Sequence, residues 1–386
     1  MSEKTYLLLM GVALAGLGVF VWKTRAPAVA NAAILAPPSA LARWPLARET
    51  VRNGPRGVTH HITRDADGTD VDCIEFDFSA NPNLRLEFFD QDSDDARPFD
   101  NSARYWGRNA AYILTHDSTG GRILAACNGG PFDFDHTTLK DEAHHVAPLV
   151  YDGQTHFADL TSDASQAWTL GVRDGAVPRF EALLRPSIQQ LHAFKWATGG
   201  VQCLIKDGAP LSLGEAPVGG KWAVFKAPSN AEAGDFGRAD WTKTSRVSLG
   251  WSRDGGRLWM LCVHDPEAES ASRVALSLRV RGQADAQTPP LSGGWSAFDV
   301  RDFWRSKGVW GAVLLASGDF AQLAARRGDG QIEFVPSHVA DIFWKTARGR
   351  TRLTCPPDLK GAPGGGSSLF YWVVREKAAA RSTPAT

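Results

Sequence analysis

The chain has 386 residues, of which 43% are hydrophobic and 22% charged, and 42 basic residues balance 42 acidic ones. This composition is typical of a globular protein that buries a sizeable core. The formal net charge of zero provides no basic excess to pair with a phosphate backbone, so a nucleic-acid partner is disfavoured.

The first 50 residues predict an anchor and a tether ahead of the folded unit. Residues 6–22 are an uncharged apolar run, preceded by Lys4 and followed by Lys23 and Arg25. The run is slightly short for a membrane-spanning helix and slightly long for the core of a signal peptide, so residues 1–25 are either a signal anchor or a signal peptide. We favour a retained anchor. Residues 26–50 are rich in Ala and Pro, which is typical of a tether, and a chain beginning near Arg52 is expected to fold.

The first strands of the folded unit follow from alternating apolar residues. Residues 71–78 place Ile74, Phe76 and Phe78 on one face, and residues 84–88 alternate in the same way. The short apolar run 123–126 then ends at Asn128-Gly129-Gly130. This pattern predicts a buried strand that enters a tight turn, where glycine permits a close approach of the backbone.

Four histidines follow that turn among several acidic residues: His136, His144, His145 and His156. The adjacent pair would project to opposite faces of a strand, and no His-Glu-x-x-His pattern is present. We expect no metal and no cofactor here, and we expect a polar loop that covers the Asn128 turn. A metal-dependent hydrolase built on residues 136–156 remains an alternative.

The second half of the chain predicts several strands and one clear helix. Ser296 and Asp299 form a capping box that opens the helix, and Gly308 closes it. The other predicted features are a strand after Gly199-Gly200 with a turn at Asp207-Gly208, a strand that contains Arg246, a strand that ends at His264-Asp265, and the buried strand 310–315 before Gly318-Asp319.

Short strands with Asp-Gly or Gly-Gly turns and a single clear helix predict an α+β fold of mainly mixed β-sheet with few helices. We assign residues 51–355 to one domain. Residues 356–386 are assigned to a Gly/Pro-rich C-terminal segment that is partly disordered, although 369–374 could form a last strand. The five widely spaced cysteines contain no Cys-x-x-Cys pair, and one disulfide is possible.

Taken in order, the segments around Asn128, Gly200, Arg246 and Gly318 resemble the motifs of the phosphodiester glycosidase family, over about residues 57–335. The resemblance implies a hydrolase that cleaves a glycosidic bond to a phosphodiester. It also implies export to the periplasmic or extracellular face, with the membrane as a partner through residues 6–22 and a sugar phosphodiester or glycan as the ligand. The substrate-binding residues would be Asn128, Gly129, Gly130, Gly200, Arg246 and His264, and the catalytic residues would be Asp319 or Asp265.

The sequence departs from the family at one position of its last motif. The aspartate of that motif falls on Ala316, or on Ser317 if one residue is inserted, and Asp319 is the nearby substitute. Because glycosidic cleavage normally uses two carboxyl groups, a catalytically inactive relative that binds a glycan or an envelope component is the second alternative. Strand ends next to glycine also predict that Asn128, Arg246 and Asp319 meet in one pocket.

Overall fold

The computed structural model describes residues 41–66, 68–91, 103–104, 108–116, 121–134, 142–157, 168–175, 177–211, 244–264, 294–318, 321–336, 352–357 and 368–378. Within these ranges the chain forms the strands β1 (Thr50–Asn53), β2 (Val58–Arg64), β3 (Asp70–Asp77), β4 (Leu84–Asp90), β5 (Ala103–Arg104), β6 (Arg122–Asn128), β7 (Phe132–Phe134), β8 (Glu142–His145), β9 (Leu149–Tyr151), β10 (Gln154–Phe157), β11 (Trp168–Arg173), β12 (Arg179–Leu184), β13 (Trp196–Lys206), β14 (Ala209–Pro210), β15 (Arg246–Trp251), β16 (Arg257–His264), β17 (Gly311–Ser317), β18 (Leu323–Arg326), β19 (Ile332–Val335), β20 (Leu353–Cys355) and β21 (Phe370–Glu376).

Two large antiparallel sheets account for most of these strands. The larger sheet runs in the order β1-β2-β3-β16-β15-β17-β13-β11-β12, with β9, β10 and β14 paired beside it. The smaller sheet runs in the order β20-β19-β18-β6-β21-β4, and a three-stranded sheet has the order β5-β8-β7. The predicted predominance of sheet is confirmed. All strand pairs of the described residues are antiparallel, whereas the sequence pattern predicts a mixture of directions.

The two large sheets pack face to face around the main core. Phe76 and Met260 of the larger sheet belong to the same buried cluster as Phe88 and Trp372 of the smaller sheet. The alternation predicted for residues 71–78 and 84–88 therefore points their apolar side chains at the facing sheet. A second core covers the outer face of the larger sheet and a third covers the outer face of the smaller one.

Three helices lie within the described residues: α1 (Ala110–Ile113), α2 (Ile188–Leu191) and α3 (Ala297–Lys307). Helix α3 begins and ends where the sequence predicts. The Ser296 side chain accepts from the backbone N–H of Asp299, the Asp299 side chain accepts in return from the Ser296 backbone, and Gly308 is left-handed with a φ of 75°. Phe303 and Trp304 of this helix pack on the outer face of the larger sheet. No helix in the described ranges is long and apolar enough to cross a membrane.

Residues 41–50 belong to the folded unit, which corrects their assignment to a tether. Ala42 is 1% exposed and Leu46 is 3% exposed in the core around helix α3. The ring of Trp44 lies 3.0 Å from Lys307 Nζ and packs edge-on against Phe303. A chain that begins near Arg52 would lose these contacts, so the predicted boundary is about ten residues too late.

The C-terminal boundary also needs correction, because β21 is an internal strand of the smaller sheet. It lies between β6 and β4, and its residues Phe370 to Val374 are buried. A domain that ended at residue 355 would leave β6 and β4 without the strand that joins them. The five cysteines are buried and carry free thiols, so the disulfide that the sequence permits does not form.

Candidate functional site

Several of the predicted site residues lie at one end of the larger sheet, on neighbouring strands. Arg246 at the start of β15 pairs with Ser317 at the end of β17 and with Val263 near the end of β16. The next residue of β16, His264, pairs with Asp70 of β3. This arrangement follows from the antiparallel order, which brings the start of one strand beside the end of its neighbour.

The Asn128 turn packs directly against the Gly199-Gly200 segment at the same end of the molecule. A Cβ atom added to Gly200, whose φ is 75°, would lie 2.4 Å from Cγ of Pro131. A Cβ atom on Gly129 would lie 2.1 Å from Cδ2 of Phe370, and the Gly129 N–H donates to the Phe370 carbonyl at 2.9 Å. Both glycines are therefore required by close approach, which the sequence predicts for the Gly129-Gly130 turn but not for Gly200.

A short connection links this turn to the end of β17. The Gly318 N–H donates to the Ser245 carbonyl at 2.9 Å, and the Ala321 N–H donates to the Gly318 carbonyl at 3.2 Å. The next N–H, that of Gln322, donates to Oδ1 of Asn128 at 2.8 Å. The Asn128 amide thus holds the connection between β17 and β18 in place. The segments that carry Asn128, Gly200, Arg246 and Gly318 are assembled at one end of the sandwich.

The side chains of Asn128 and Arg246 nevertheless do not share a pocket, which corrects the predicted convergence. Asn128 pairs with Tyr371, a member of the core on the outer face of the smaller sheet. Arg246 lies on the outer face of the larger sheet, where its Nε donates to the Trp295 carbonyl at 3.1 Å. Directly paired strand residues project to the same face. The two side chains therefore leave the sandwich on opposite sides, separated by two sheets about 10 Å apart.

Both predicted catalytic residues, Asp319 and Asp265, lie outside the described residues. In the sequence they follow Gly318 and His264, which are described and lie at the same end of the larger sheet as Arg246. His264 is 1% exposed. Ala316 and Ser317, where the family has its aspartate, pair with Val247 and Arg246 respectively.

A buried charge cluster joins the two sheets beside this end, and none of the sequence motifs identified it. His60 Nε2 lies 2.7 Å from Asp72 Oδ1, and His60 Nδ1 lies 3.6 Å from Glu333 Oε2. Arg352 reaches both carboxylates, at 2.5 Å from Asp72 and 3.8 Å from Glu333, and Arg52 binds Glu333. A signal was present in the sequence: Asp72 has the same strand parity as Ile74 and Phe76, so it had to face the core.

Electrostatics within this cluster keep Asp72 ionised. Burial alone would raise the pKa of the Asp72 carboxyl, but the charge of Arg352 and the hydrogen bond from His60 outweigh it, and the pKa lies below its ordinary value. The same carboxylates raise the pKa of Arg352 against the effect of its burial. A carboxyl group held in this way is unsuited to act as a general acid near neutral pH.

The histidines that follow the Asn128 turn are divided between environments. His145 is buried, with Nε2 at 2.9 Å from Asp90 Oδ2 and its ring packed against Phe370. Its neighbour His144 is only half-buried, as expected for adjacent residues of a strand. His136 is outside the described residues. Among the residues that the structure describes, no group of three or more His, Cys, Asp or Glu side chains is arranged to hold a metal ion.

No family model and no curated protein matches the chain. Solved structures align with it at low identity. The catalytic domain of zebrafish N-acetylglucosamine-1-phosphodiester alpha-N-acetylglucosaminidase, auto-inhibited by its pro-peptide, is 15% identical over 86% of this chain and 88% of that domain, with a TM-score of 0.43. A hypothetical protein from Synechocystis is 11% identical over 86% of this chain and 64% of its own length, with the same TM-score. Similarity at this distance says nothing about activity.

Proposed function

We propose that the chain is a hydrolase of the phosphodiester glycosidase type, which cleaves the bond between a sugar C1 and the oxygen of a phosphodiester. The observation that carries this proposal is the assembly of the four motif segments, those of Asn128, Gly200, Arg246 and Gly318, at one end of the sandwich. These four segments are far apart in the sequence, and their amino-acid composition alone gives no reason for them to lie together. Their contact therefore supports the family resemblance on which the proposal rests.

In this proposal the glycine segments supply backbone rather than side chains. The close packing of Gly129 against Phe370 and of Gly200 against Pro131 leaves no room for side chains, so in this proposal the glycines bring the Asn128 turn and β13 together at the edge of the site. Asn128 holds the connection after β17 through Gln322, and Arg246 acts from the adjacent strand end. His264 follows Val263, which pairs with Arg246, so its side chain projects to the other face of the sheet and does not act beside Arg246. Arg246 would need to exchange its bond with the Trp295 carbonyl for a phosphodiester oxygen, since its guanidinium is the group best suited to that anion.

The proposed catalytic carboxylates are Asp319 and Asp265. In hydrolysis the C1–O bond breaks, water supplies the new hydroxyl at C1, and the departing oxygen leaves as part of a phosphate monoester. That leaving group is far less basic than a sugar alcohol, so it has less need of protonation by a general acid. One carboxylate acting as base or nucleophile would therefore suffice where most glycosidases need two.

The position of bond cleavage tests the activity. The protein would be incubated in ¹⁸O-labelled water with sugar-1-phosphate aryl phosphodiesters, and the products would be separated and weighed by mass spectrometry. We expect the label on the released sugar and none on the phosphate. Asp319→Asn or Asp265→Asn should abolish release, whereas Asp329→Asn, in the exposed turn between β18 and β19, should not. Label on the phosphate, or full activity in both site variants, would refute the proposal.

A catalytically inactive relative is the second candidate, and Ala316 and Ser317 favour it because they stand where the family has its aspartate. It would bind a glycan or an envelope component at the same strand ends. Saturable binding of a sugar phosphodiester without release of free sugar would identify it. The metal-dependent alternative predicts instead that turnover is lost after chelation and restored by one metal.

Export belongs to the same proposal, with residues 6–22 as the membrane anchor and the folded unit on the periplasmic or extracellular side. A reporter that is active only outside the cytoplasm, fused after residue 378, would be active in this case. Release of the protein into the soluble fraction by salt alone would contradict an anchor.

A further inference from the structure

We propose that a groove at the opposite end of the sandwich binds an acidic polysaccharide chain. This end lies far from the loops described above: Arg246 and Trp251, at the two ends of β15, are five residue steps apart, a distance of about 17 Å at the rise of an antiparallel strand. The groove is independent of the proposed hydrolase site and shares no residue with it.

The groove consists of two adjoining cavities. One has a volume of about 290 Å³ and the other about 530 Å³, and Arg173 lines both. The smaller cavity includes Lys377, the residue after β21 of the smaller sheet, and the larger one includes Trp310, the residue before β17. The two cavities therefore follow one another across the end of the sandwich, from one sheet to the other. An extended ligand fits this shape better than a compact one.

The charges along the groove favour an anionic ligand. The lining contains seven Lys and Arg side chains and six carboxylates. Four of the carboxylates pair with cations: Glu181 with Arg173 at 3.1 Å, Asp152 with Lys195 at 2.5 Å, Glu87 with Arg375 at 3.0 Å and Asp207 with Lys206 at 3.6 Å. Asp174 accepts from the Gly175 N–H. Asp254 is held by Ser252 and by the Gly256 N–H. In the described part of the chain, four cations of the lining have no carboxylate within ion-pair distance: Arg85, Arg179, Arg253 and Lys377.

Aromatic side chains in both cavities indicate a carbohydrate as the carrier of that negative charge. Tyr151 and Trp196 pack edge to face with their ring centroids 4.9 Å apart in the smaller cavity. Phe180 and Trp310 line the larger cavity, and the Arg253 guanidinium lies 4.7 Å from the Trp310 ring. Partly exposed rings offer faces to the C–H groups of sugars, and guanidinium groups bind carboxylates in bidentate fashion. Together these groups match a chain of uronic acids.

The test uses the folded protein with hexagalacturonate as the probe and maltohexaose as its uncharged counterpart, measured by titration calorimetry at low and physiological ionic strength. We expect hexagalacturonate to bind and maltohexaose to bind at least tenfold more weakly. The double variant Arg179→Gln, Arg253→Gln should raise the Kd for hexagalacturonate by about tenfold or more. The variant Arg85→Gln, Lys377→Gln should raise the Kd for hexagalacturonate in the same way. It should leave the Kd for digalacturonate unchanged, because that shorter ligand binds in the larger cavity.

The control removes the same charge from another face of the molecule. Arg43 and Arg305 are exposed on the side of helix α3, and the variant Arg43→Gln, Arg305→Gln should change the Kd by less than about twofold. Equal melting temperatures would establish that all variants fold. The proposal is wrong if hexagalacturonate does not bind, if maltohexaose binds as tightly, if the control weakens binding as much as the groove variants, or if the Arg85→Gln, Lys377→Gln variant binds the hexamer normally.

Discussion

Single glycines determine how closely the segments at the candidate site approach one another. Gly129 has no space for a side chain, because a Cβ atom would meet both the ring and the carbonyl oxygen of Phe370, the latter at 2.7 Å. The carbonyl belongs to the internal strand β21, which cannot move without breaking its bonds to β6 and β4. Glycine is thus required at position 129 by packing. The Asn-Gly-Gly pattern indicated this requirement but could not show that Phe370 is the packing partner.

Substitution of Gly129 by alanine should therefore destabilise the protein. We expect Gly129→Ala to lower the free energy of unfolding by about 3 kcal/mol, the upper part of the range for overpacking a filled core. Gly328→Ala is the matched control, because its nearest neighbour would be a backbone oxygen at 3.7 Å. Urea unfolding of both variants measures the difference. A loss of less than about 1 kcal/mol for Gly129→Ala would show that the turn can move away from β21.

Elements with a local sequence signal were predicted correctly, and those defined by distant partners were not. Helix α3 carries its own start and stop in Ser296, Asp299 and Gly308, so its bounds follow from the sequence. The segment 41–50 has no periodic pattern, and its burial depends on Lys307 and Phe303, more than 250 residues away. Likewise the sequence of β21 is a short apolar run after glycines, and only its insertion between β6 and β4 makes it an internal strand of the sheet.

The packing of segment 41–50 predicts where the folded unit can be shortened. A chain that lacks residues 1–40 should unfold cooperatively, whereas one that lacks residues 1–51 should lose about 3 kcal/mol or more, since Leu46 and Ala42 leave a cavity beside helix α3. The point variant Leu46→Ala should account for about 2 kcal/mol or more of this loss. Thermal melting of the three proteins provides the comparison. Equal melting temperatures for the two shortened chains would show that residues 41–50 do not stabilise the folded unit, and would support their original assignment to a tether.

The position of β21 makes an equally direct prediction. A chain ended after Ala378 should fold as the full chain does, because β21 remains complete. A chain ended after Ser368 should fail to fold, since β4 would lose its neighbour in the smaller sheet and β6 would keep only β18. Solubility and a cooperative melt distinguish the outcomes, and a folded chain ended after Ser368 would contradict the position of β21 between β6 and β4.

At the scale of the whole molecule, the two sheets are held together by an apolar core, and a cluster of charged side chains lies at one end of that core. Val58 and Ile74 on the larger sheet face the core, and so does Val335 on the smaller one. Next to them on the same faces lie His60, Asp72 and Glu333 with Arg352 between the sheets. The larger sheet has its edge at β1 and the smaller at β20, so the cluster connects the two sheets near these edges. Strand parity placed Asp72 inside, but no sequence pattern could pair it with Arg352, 280 residues later.

This cluster should make stability depend on pH in a specific way. The pKa of Asp72 is lower in the folded protein than in the unfolded chain, where it is about 3.9. The contribution of the Asp72 charge to the free energy of unfolding is therefore fully present above that value, and it is lost as the pH falls through the folded pKa. At pH 7, Asp72→Asn should cost about 3–5 kcal/mol, because Arg352 is left buried beside a neutral group. Asp302→Asn, which removes a surface partner of Arg301, should cost less than about 1 kcal/mol.

Urea unfolding of the wild type and both variants from pH 7 down to pH 3 measures this dependence. Asparagine does not titrate, so the difference in unfolding free energy between the wild type and Asp72→Asn should shrink as Asp72 of the wild type becomes protonated. The difference for Asp302→Asn should stay small throughout. If the cost of Asp72→Asn is the same at pH 3 as at pH 7, the carboxylate's charge does not hold the sheets together, and its hydrogen bonds or its shape must account for the loss instead.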